Sequence, residues 1–297
     1  MDIMHFNDTK DSIWQIIQRE AEAHVKQEPI LASFFYASVL NHVDFESALS
    51  FQLAGKLHHP AVSPMLLRKI IDEALAGDPR IGQDARADIK ATYDRDPACN
   101  YYFIPLLFFK GFHALQGARV AHWLWTQQRQ SLALLLESTI SQVMGVDIHP
   151  AASIGSGLLV DHATGLVVGE TAVIEDNVSI MQGVTLGGTG KESGDRHPKV
   201  RTGVLIGAGA TVLGNIEIGH GAKIGAGSVV LSNVPPNCTV AGIPARIVAR
   251  LDSTLQPALE MNHQLLSEAP PAKTKFPPLP AVITQLYKNR SLLTENS

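Results

Sequence analysis

Ile206-Gly207-Ala208-Gly209-Ala210-Thr211-Val212-Leu213-Gly214-Asn215-Ile216-Glu217-Ile218-Gly219-His220-Gly221-Ala222-Lys223-Ile224-Gly225-Ala226-Gly227-Ser228-Val229-Val230 places an aliphatic residue at every sixth position: Ile206, Val212, Ile218, Ile224 and Val230. The same step from Ile148 meets Ile154, Val160, Leu166, Ala172, Val178 and Val184. Such a repeat encodes short strands joined by turns. A small residue often follows the aliphatic one, as in Ile206-Gly207, Ile218-Gly219 and Ile224-Gly225, where a tight corner makes a Cβ costly. Three units per coil stack the aliphatic side chains in columns inside a narrow triangular prism. Composition agrees: 19 of the 24 glycines lie between Gly145 and Gly242, and no Phe, Tyr or Trp occurs from Thr126 to Lys275, because the interior has no room for a ring. Val184 and Ile206 are 22 residues apart, not a multiple of six, so an excursion around Gly187 to Gly203 interrupts one coil. Loops that break a rigid repeat tend to carry function.

Before Gly145 the sequence reads as helix. Asp11 or Ser12 caps a segment in which Trp14, Ile17, Ala21 and Val25 recur at helical spacing. Ser63-Pro64 opens another, with Met65, Leu66, Ile70 and Ala74 behind it and Gly77-Asp78-Pro79 closing it. Phe112 to Trp125 and Ser131 to Val143 are two more apolar-striped helices. The fold class expected is α+β: a helical domain with its own core over 1–144, a β-helix with one inserted loop over 145–250, and an extended or disordered tail over 251–297 marked by Pro257, Pro270, Pro271, Pro277, Pro278 and Pro280.

A chain of 297 residues has room for two such domains. Its apolar runs are far shorter than the ~20 residues a membrane span needs, and its start lacks a signal core, so a cytoplasmic location is expected. A formal charge of −4 argues against a generic nucleic-acid binder. Cys99 and Cys238 are isolated, without metal-type spacing or a neighbouring base.

The repeat region concentrates His and Asp beside glycine in Asp147-Ile148-His149-Pro150, Asp161-His162-Ala163-Thr164-Gly165 and Gly194-Asp195-Arg196-His197-Pro198. An imidazole accepts protons near neutral pH, and a carboxylate on its other nitrogen fixes the tautomer. Asp147 and His162 are 15 residues apart, close to one coil, so a pairing across neighbouring rungs is one reading; exposed polar residues on the prism faces are the other. Gly187-Gly188-Thr189-Gly190-Lys191 fails as a phosphate loop, since Thr185 stands where the first glycine belongs and Glu192 follows the lysine. No His-x4-His pairing supports a metal site, and none is expected. His58-His59 before Pro60 reads as a surface turn.

Taken together, Val146 to Ala152, Asp161 to Gly165 with Val168-Gly169-Glu170-Thr171, Val184 to Lys191, Gly194 to Pro198, Arg95-Asp96-Pro97-Ala98 and Lys110 to Gln116 resemble the bacterial serine acetyltransferases over about residues 10 to 250. The hexapeptide repeat alone says only acyltransferase, leaving sugars, amino acids and antibiotics open as acceptors. The resemblance implies a left-handed parallel β-helix, an exception to the usual crossover hand. It further implies trimers pairing through helical domains into hexamers, with active sites between adjacent subunits. By position it makes His162 the general base and Asp147 its orienting partner, gives the serine ammonium to Asp96 and Asp161, and gives the carboxylate to Arg196 and His197. Acetyl-CoA is the co-substrate, with no permanently bound cofactor; its arm would run beside Gly188, Ala208 and Ala226, with Lys223 near the nucleotide end. A backbone N–H of Gly187-Gly188 is the oxyanion donor this reading favours. The implied reaction gives O-acetyl-L-serine and CoA, the first step of cysteine biosynthesis, with feedback inhibition by L-cysteine. Many relatives end in an isoleucine that enters O-acetylserine sulfhydrylase; this chain ends Leu293-Thr294-Glu295-Asn296-Ser297, so that partnership does not carry over directly.

Overall fold

The computed structural model describes residues 11–57, 62–190, 193–252 and 256–265. The His58-His59 turn, Lys191 and the stretch from 266 to the C-terminus lie outside them. The helical part comprises α1 (Ser12–Gln27), α2 (Ala32–Phe35), α3 (Phe45–Lys56), α4 (Pro64–Gly77), α5 (Arg80–Arg95), α6 (Phe103–Phe108), α7 (Lys110–Thr126) and α8 (Gln130–Met144). Local chemistry sets the starts. The Asp11 carboxylate accepts from the Trp14 N–H at 3.1 Å, and the Ser63 hydroxyl accepts from Leu66 N–H at 3.3 Å with Pro64 in the first turn. Gly145, at φ +66°, ends α8 in the left-handed conformation and turns the chain back into the first strand.

The prism has three parallel faces. One is built from β1 (Val146–Ile148), β4 (Leu166–Val168), β7 (Thr185–Gly187), β10 (Thr211–Leu213) and β13 (Val229–Val230). The second holds β2 (Ser153–Ile154), β5 (Val173–Ile174), β8 (Lys199–Val200) and β11 (Glu217–Ile218). The third holds β3 (Leu159–Val160), β6 (Ser179–Ile180), β9 (Leu205–Ile206), β12 (Lys223–Ile224) and β14 (Cys238–Gly242), closed by the antiparallel β15 (Ala245–Arg250).

Strand register refines the repeat. Val200 pairs with Ile218, Ile206 with Ile224 and Val212 with Val230, the regular 18-residue coil. Ile148, Ile154 and Val160 pair with Val168, Ile174 and Ile180, a coil of 20. Ile174 and Ile180 pair with Val200 and Ile206, a coil of 26 carrying the inserted loop. The six-residue walk from Ile148 therefore crosses columns: from Leu166 onward it tracks the second inward row, in which Leu166 pairs with Val146. The two extra residues of the first coil fall in the Asp161–Gly165 corner, where His162 and Ala163 hold φ of +54° and +61°. Two consecutive non-glycine residues in that region carry strain of the kind found at functional sites.

The expectation of a separate helical core is corrected: helices and prism share one continuous cluster of buried side chains, from Trp14 and Leu49 through Leu124 and Ile140 to Val146, Val178 and Val240. A buried polar joint ties them. Asp88 of α5 accepts from Gln116 Nε2, Arg119 Nη2 and the Leu158 N–H, each at 2.8 Å, and Arg119 also donates to Gly155 O at 2.8 Å. The tail is corrected too at its start. Pro257 opens a helical turn, α9 (Pro257–Glu260), with Ala258 fully buried and its carbonyl accepting from Ser179 Oγ at 2.8 Å.

Candidate active site

The corner between the third and first faces carries one group of the expected residues. Asp96 caps the end of α5, its Oδ1 accepting from the Ala98 N–H at 2.8 Å. Asp161 and His162 follow β3, with His162 Nε2 3.7 Å from Asp161 Oδ2 and the imidazole side chain 72% exposed. These three line a pocket of about 370 Å³ with Phe108, Lys110 and Asp88. The Lys110 ammonium donates to Thr164 Oγ1, pinning the corner to α7. Burial raises the Asp161 carboxyl above its ordinary range and nearby Asp96 adds to it, while His162 opposes. A cation arriving between the two acids relieves that repulsion.

The corner between the first and second faces carries the other group. Thr171 organises it: its N–H donates to His197 Nδ1 at 3.2 Å, and its Oγ1 accepts from the Arg196 and His197 N–H groups at 3.0 and 3.1 Å. Accepting at Nδ1 leaves the His197 proton on Nε2, a donor tautomer. The ring lies so close over Gly169 that a Cβ there would stand 2.1 Å from Cδ2 and Nε2. Arg196 Nη2 donates to Glu170 Oε2 at 2.6 Å, which holds the Glu170 carboxyl below its ordinary value. Desolvation, then Arg196, lowers His197, and desolvation lowers His149. Lys199 Nζ braces the loop through Thr171 O at 2.7 Å, His197 O at 2.9 Å and Asp195 Oδ1 at 2.5 Å.

Asp147 sits on β1 in the first face, beside Glu137 of α8 and within the field of His149. Among the described residues of this single chain, the carboxylate paired with His162 is Asp161, and no hydrogen bond or ion pair joins His162 to Asp147. The structure thus sorts the expected residues into two sets at opposite edges of one face.

Of the cofactor positions, Gly188 lies beside Arg196, where an added Cβ would stand 3.6 Å from Arg196 Cγ. Ala208 and Ala226 stack at the same edge as His162, one coil apart, the Gly227 N–H donating to Ala208 O at 2.8 Å. Lys223 differs from expectation. It is 6% exposed, and its ammonium donates to the carbonyls of Asn262, at 3.1 Å, and Gln264, so the start of the tail occupies it. Thr171 and Glu170, which orient His197 and Arg196, stand in the Val168–Thr171 run, where spacing alone gives no signal of that role. Burial pushes the Cys99 thiol up to about 11, with Asp96 adding to it, so it is no nucleophile at neutral pH.

Comparison with known proteins adds the family. The "Serine acetyltransferase, N-terminal" family matches residues 13–117, and the "Bacterial transferase hexapeptide (six repeats)" family matches 197–232. The serine acetyltransferase of Escherichia coli K12 is 56% identical over 251 residues, covering 84% of this chain and 92% of the relative. A serine acetyltransferase solved in complex with cysteine superposes with TM-score 0.84 at 56% identity, covering 86% of this chain and 98% of that one. That of Brucella abortus in complex with coenzyme A gives 0.81 at 55%, covering 83% and 99%. A helical region followed by a left-handed hexapeptide β-helix, together with 56% identity across most of both chains, shows that this chain belongs to the serine acetyltransferase family, the enzymes that move an acetyl group from acetyl-CoA to serine.

Proposed function

We propose that the working site forms where the His162 edge of one protomer meets the Arg196–His197 edge of the next in a trimer, two trimers pairing into a hexamer. The observation that carries this is the sorting itself: the residues suited to an amino acid's ammonium and those suited to its carboxylate lie at opposite edges of a single face. Asp96 and Asp161 bind the ammonium of L-serine, and Arg196 with His197 bind its carboxylate, charge-assisted contacts that select an amino acid over a sugar. Acetyl-CoA lies along the stacked Ala208 and Ala226, whose small side chains let a thioester approach the backbone.

The chemistry is direct transfer. The His162 imidazole takes the serine hydroxyl proton as the oxygen attacks the thioester carbonyl, and Asp147 orients the ring across the site. The tetrahedral oxyanion collapses, breaking the C–S bond; the CoA thiolate takes the proton from the imidazolium, giving O-acetyl-L-serine and CoA. Because a thioester is already activated, alignment within about 3–3.5 Å and one base suffice. L-cysteine, whose thiol replaces the hydroxyl, occupies the same ammonium and carboxylate contacts and competes with serine.

Following CoA thiol release with and without serine tests this reading. Release that requires serine, prefers it over homoserine and falls with millimolar cysteine is the expected result; release indifferent to serine refutes it.

A further inference from the structure

The two acids of the His162 corner come from distant parts of the chain, and one side chain spans the gap between their supports. Asp96 ends α5, its N–H donating to Thr92 O at 2.9 Å and its Oδ1 accepting from the Ala98 N–H at 2.8 Å. Asp161 follows β3, and β3 is aligned by β6: Leu159 pairs with Ser179, Val160 pairs with Ile180, and the Asp161 N–H donates to Ile180 O at 2.9 Å. Arg95, the last residue of α5, reaches across to that same strand and the corner before it. Its Nη1 donates to Ser179 Oγ at 3.2 Å and to Val178 O at 3.5 Å, and its Nη2 donates to Asn177 Oδ1 at 3.2 Å. The Ser179 hydroxyl gives its own proton to Ala258 O at 2.8 Å, so it meets Arg95 as an acceptor.

Stability does not account for this guanidinium. It is 6% exposed, its three acceptors are all neutral, and its Nε has no hydrogen-bond partner among the described residues. A buried cation without a paired anion is costlier than an apolar side chain of like size. What the planar fork supplies is a strut between the helix end that carries Asp96 and the strand that aligns Asp161. The two acids repel each other across the pocket, Asp96 adding to the burial that raises the Asp161 carboxyl, and the strut opposes their separation. Arg95 itself lies outside the pocket that both acids line. We infer that Arg95 is a positioning residue: by fastening the end of α5 to β6 it holds Asp96 and Asp161 at the spacing that receives the substrate ammonium. The inference rests on the proposed role of those two acids.

The test is Arg95→Met in the full-length enzyme, which removes the strut and the charge while filling the space. KM for serine should rise about tenfold, with kcat within about threefold of wild type and KM for acetyl-CoA unchanged. Two competing thiols report on the ammonium contact alone, since L-cysteine carries that group and 3-mercaptopropionate lacks it. The inhibition constant of cysteine should rise about tenfold and that of 3-mercaptopropionate should stay within about twofold. Ser179→Ala, which removes one acceptor, should show the same selectivity at about threefold, and it carries the test where Arg95→Met does not assemble. Asp96→Asn should reproduce the selective loss, and adding Arg95→Met to it should change KM for serine by no more than about twofold, because the two changes act through one contact. Equal losses for both thiols, or losses that multiply in the double variant, overturn the role of Arg95 and leave the ammonium site standing where Asp96→Asn is selective. An Asp96→Asn enzyme that discriminates between the two thiols as wild type does overturns the ammonium site, and the role of Arg95 with it.

Discussion

Replacing Asp88 by alanine opens the joint between helices and prism. The carboxylate collects three donors at 2.8 Å: Gln116 Nε2, Arg119 Nη2 and the Leu158 N–H. Its side chain is 1% exposed and that of Arg119 5% exposed. Without Asp88, the guanidinium keeps one hydrogen bond, to Gly155 O, while its Nε and Nη1 already have no hydrogen-bond partner and Asp84 stands 4.0 Å away. The Leu158 N–H, on the prism side, is stranded as well. Breaking a buried pair from one side costs about 3–5 kcal/mol, most of it from the uncompensated charge rather than from the lost bonds counted singly. The same reasoning makes the pair replaceable: Asp88→Leu with Arg119→Met removes both charges and should recover all but about 1–2 kcal/mol. Urea unfolding followed by circular dichroism, at one fixed protomer concentration because assembly contributes to stability, reads these differences. An Asp88→Ala loss under about 1 kcal/mol, or a double variant no better than the single, refutes the assignment of the joint as a strongly coupled buried pair.

Other expectations follow from single observations. His162→Ala should lower kcat about 10²–10⁴-fold with an unchanged circular dichroism spectrum; near-normal turnover removes the imidazole from the chemistry. Gly169→Ala drives a methyl into the His197 ring at 2.1 Å and should lower kcat/KM for serine by roughly 10-fold or more without unfolding the prism. Burial pushes the His113 imidazole down to about 3, although its Nε2 bonds Leu106 O at 2.7 Å. The folded value lies below the unfolded value near 6.5, so the unfolded chain gains protons first as pH falls through this window. Stability should therefore drop by about 2 kcal/mol between pH 7 and pH 5 on account of this residue, and His113→Gln should lack that component in urea titrations. Lys223→Ala removes the donor to Asn262 and Gln264 and should speed amide hydrogen exchange in residues 258–265.

The repeat was legible because packing in a narrow prism is a local rule: each aliphatic position is dictated by the one a coil away, and Ile206 to Val230 obey it without interruption. Where the chain departs from the rule, spacing alone misleads. The two extra residues at the Asp161–Gly165 corner shifted the walk from Ile148 into the neighbouring column, since both inward rows are aliphatic and six-residue steps cannot tell them apart. Helix starts at Asp11 and Ser63 were readable from capping chemistry. The Asp88–Arg119 joint was not, because charged residues on a helical stripe look solvated until a partner 31 residues away covers them. Pro257 misled in the other direction: read as a mark of extended chain, it occupies the first turn of α9, where its missing N–H does no harm.

Subunit complementation tests most directly whether two edges from different protomers make one site. His162→Ala and Arg196→Ala chains, each inactive alone, are co-expressed and the mixed oligomers assayed for serine-dependent CoA release. If each site draws one edge from each of two protomers, random mixing restores about a quarter of the sites, and activity returns in that proportion. If both edges of a site come from the same chain, every site carries one lesion and the mixture stays as inactive as its parts.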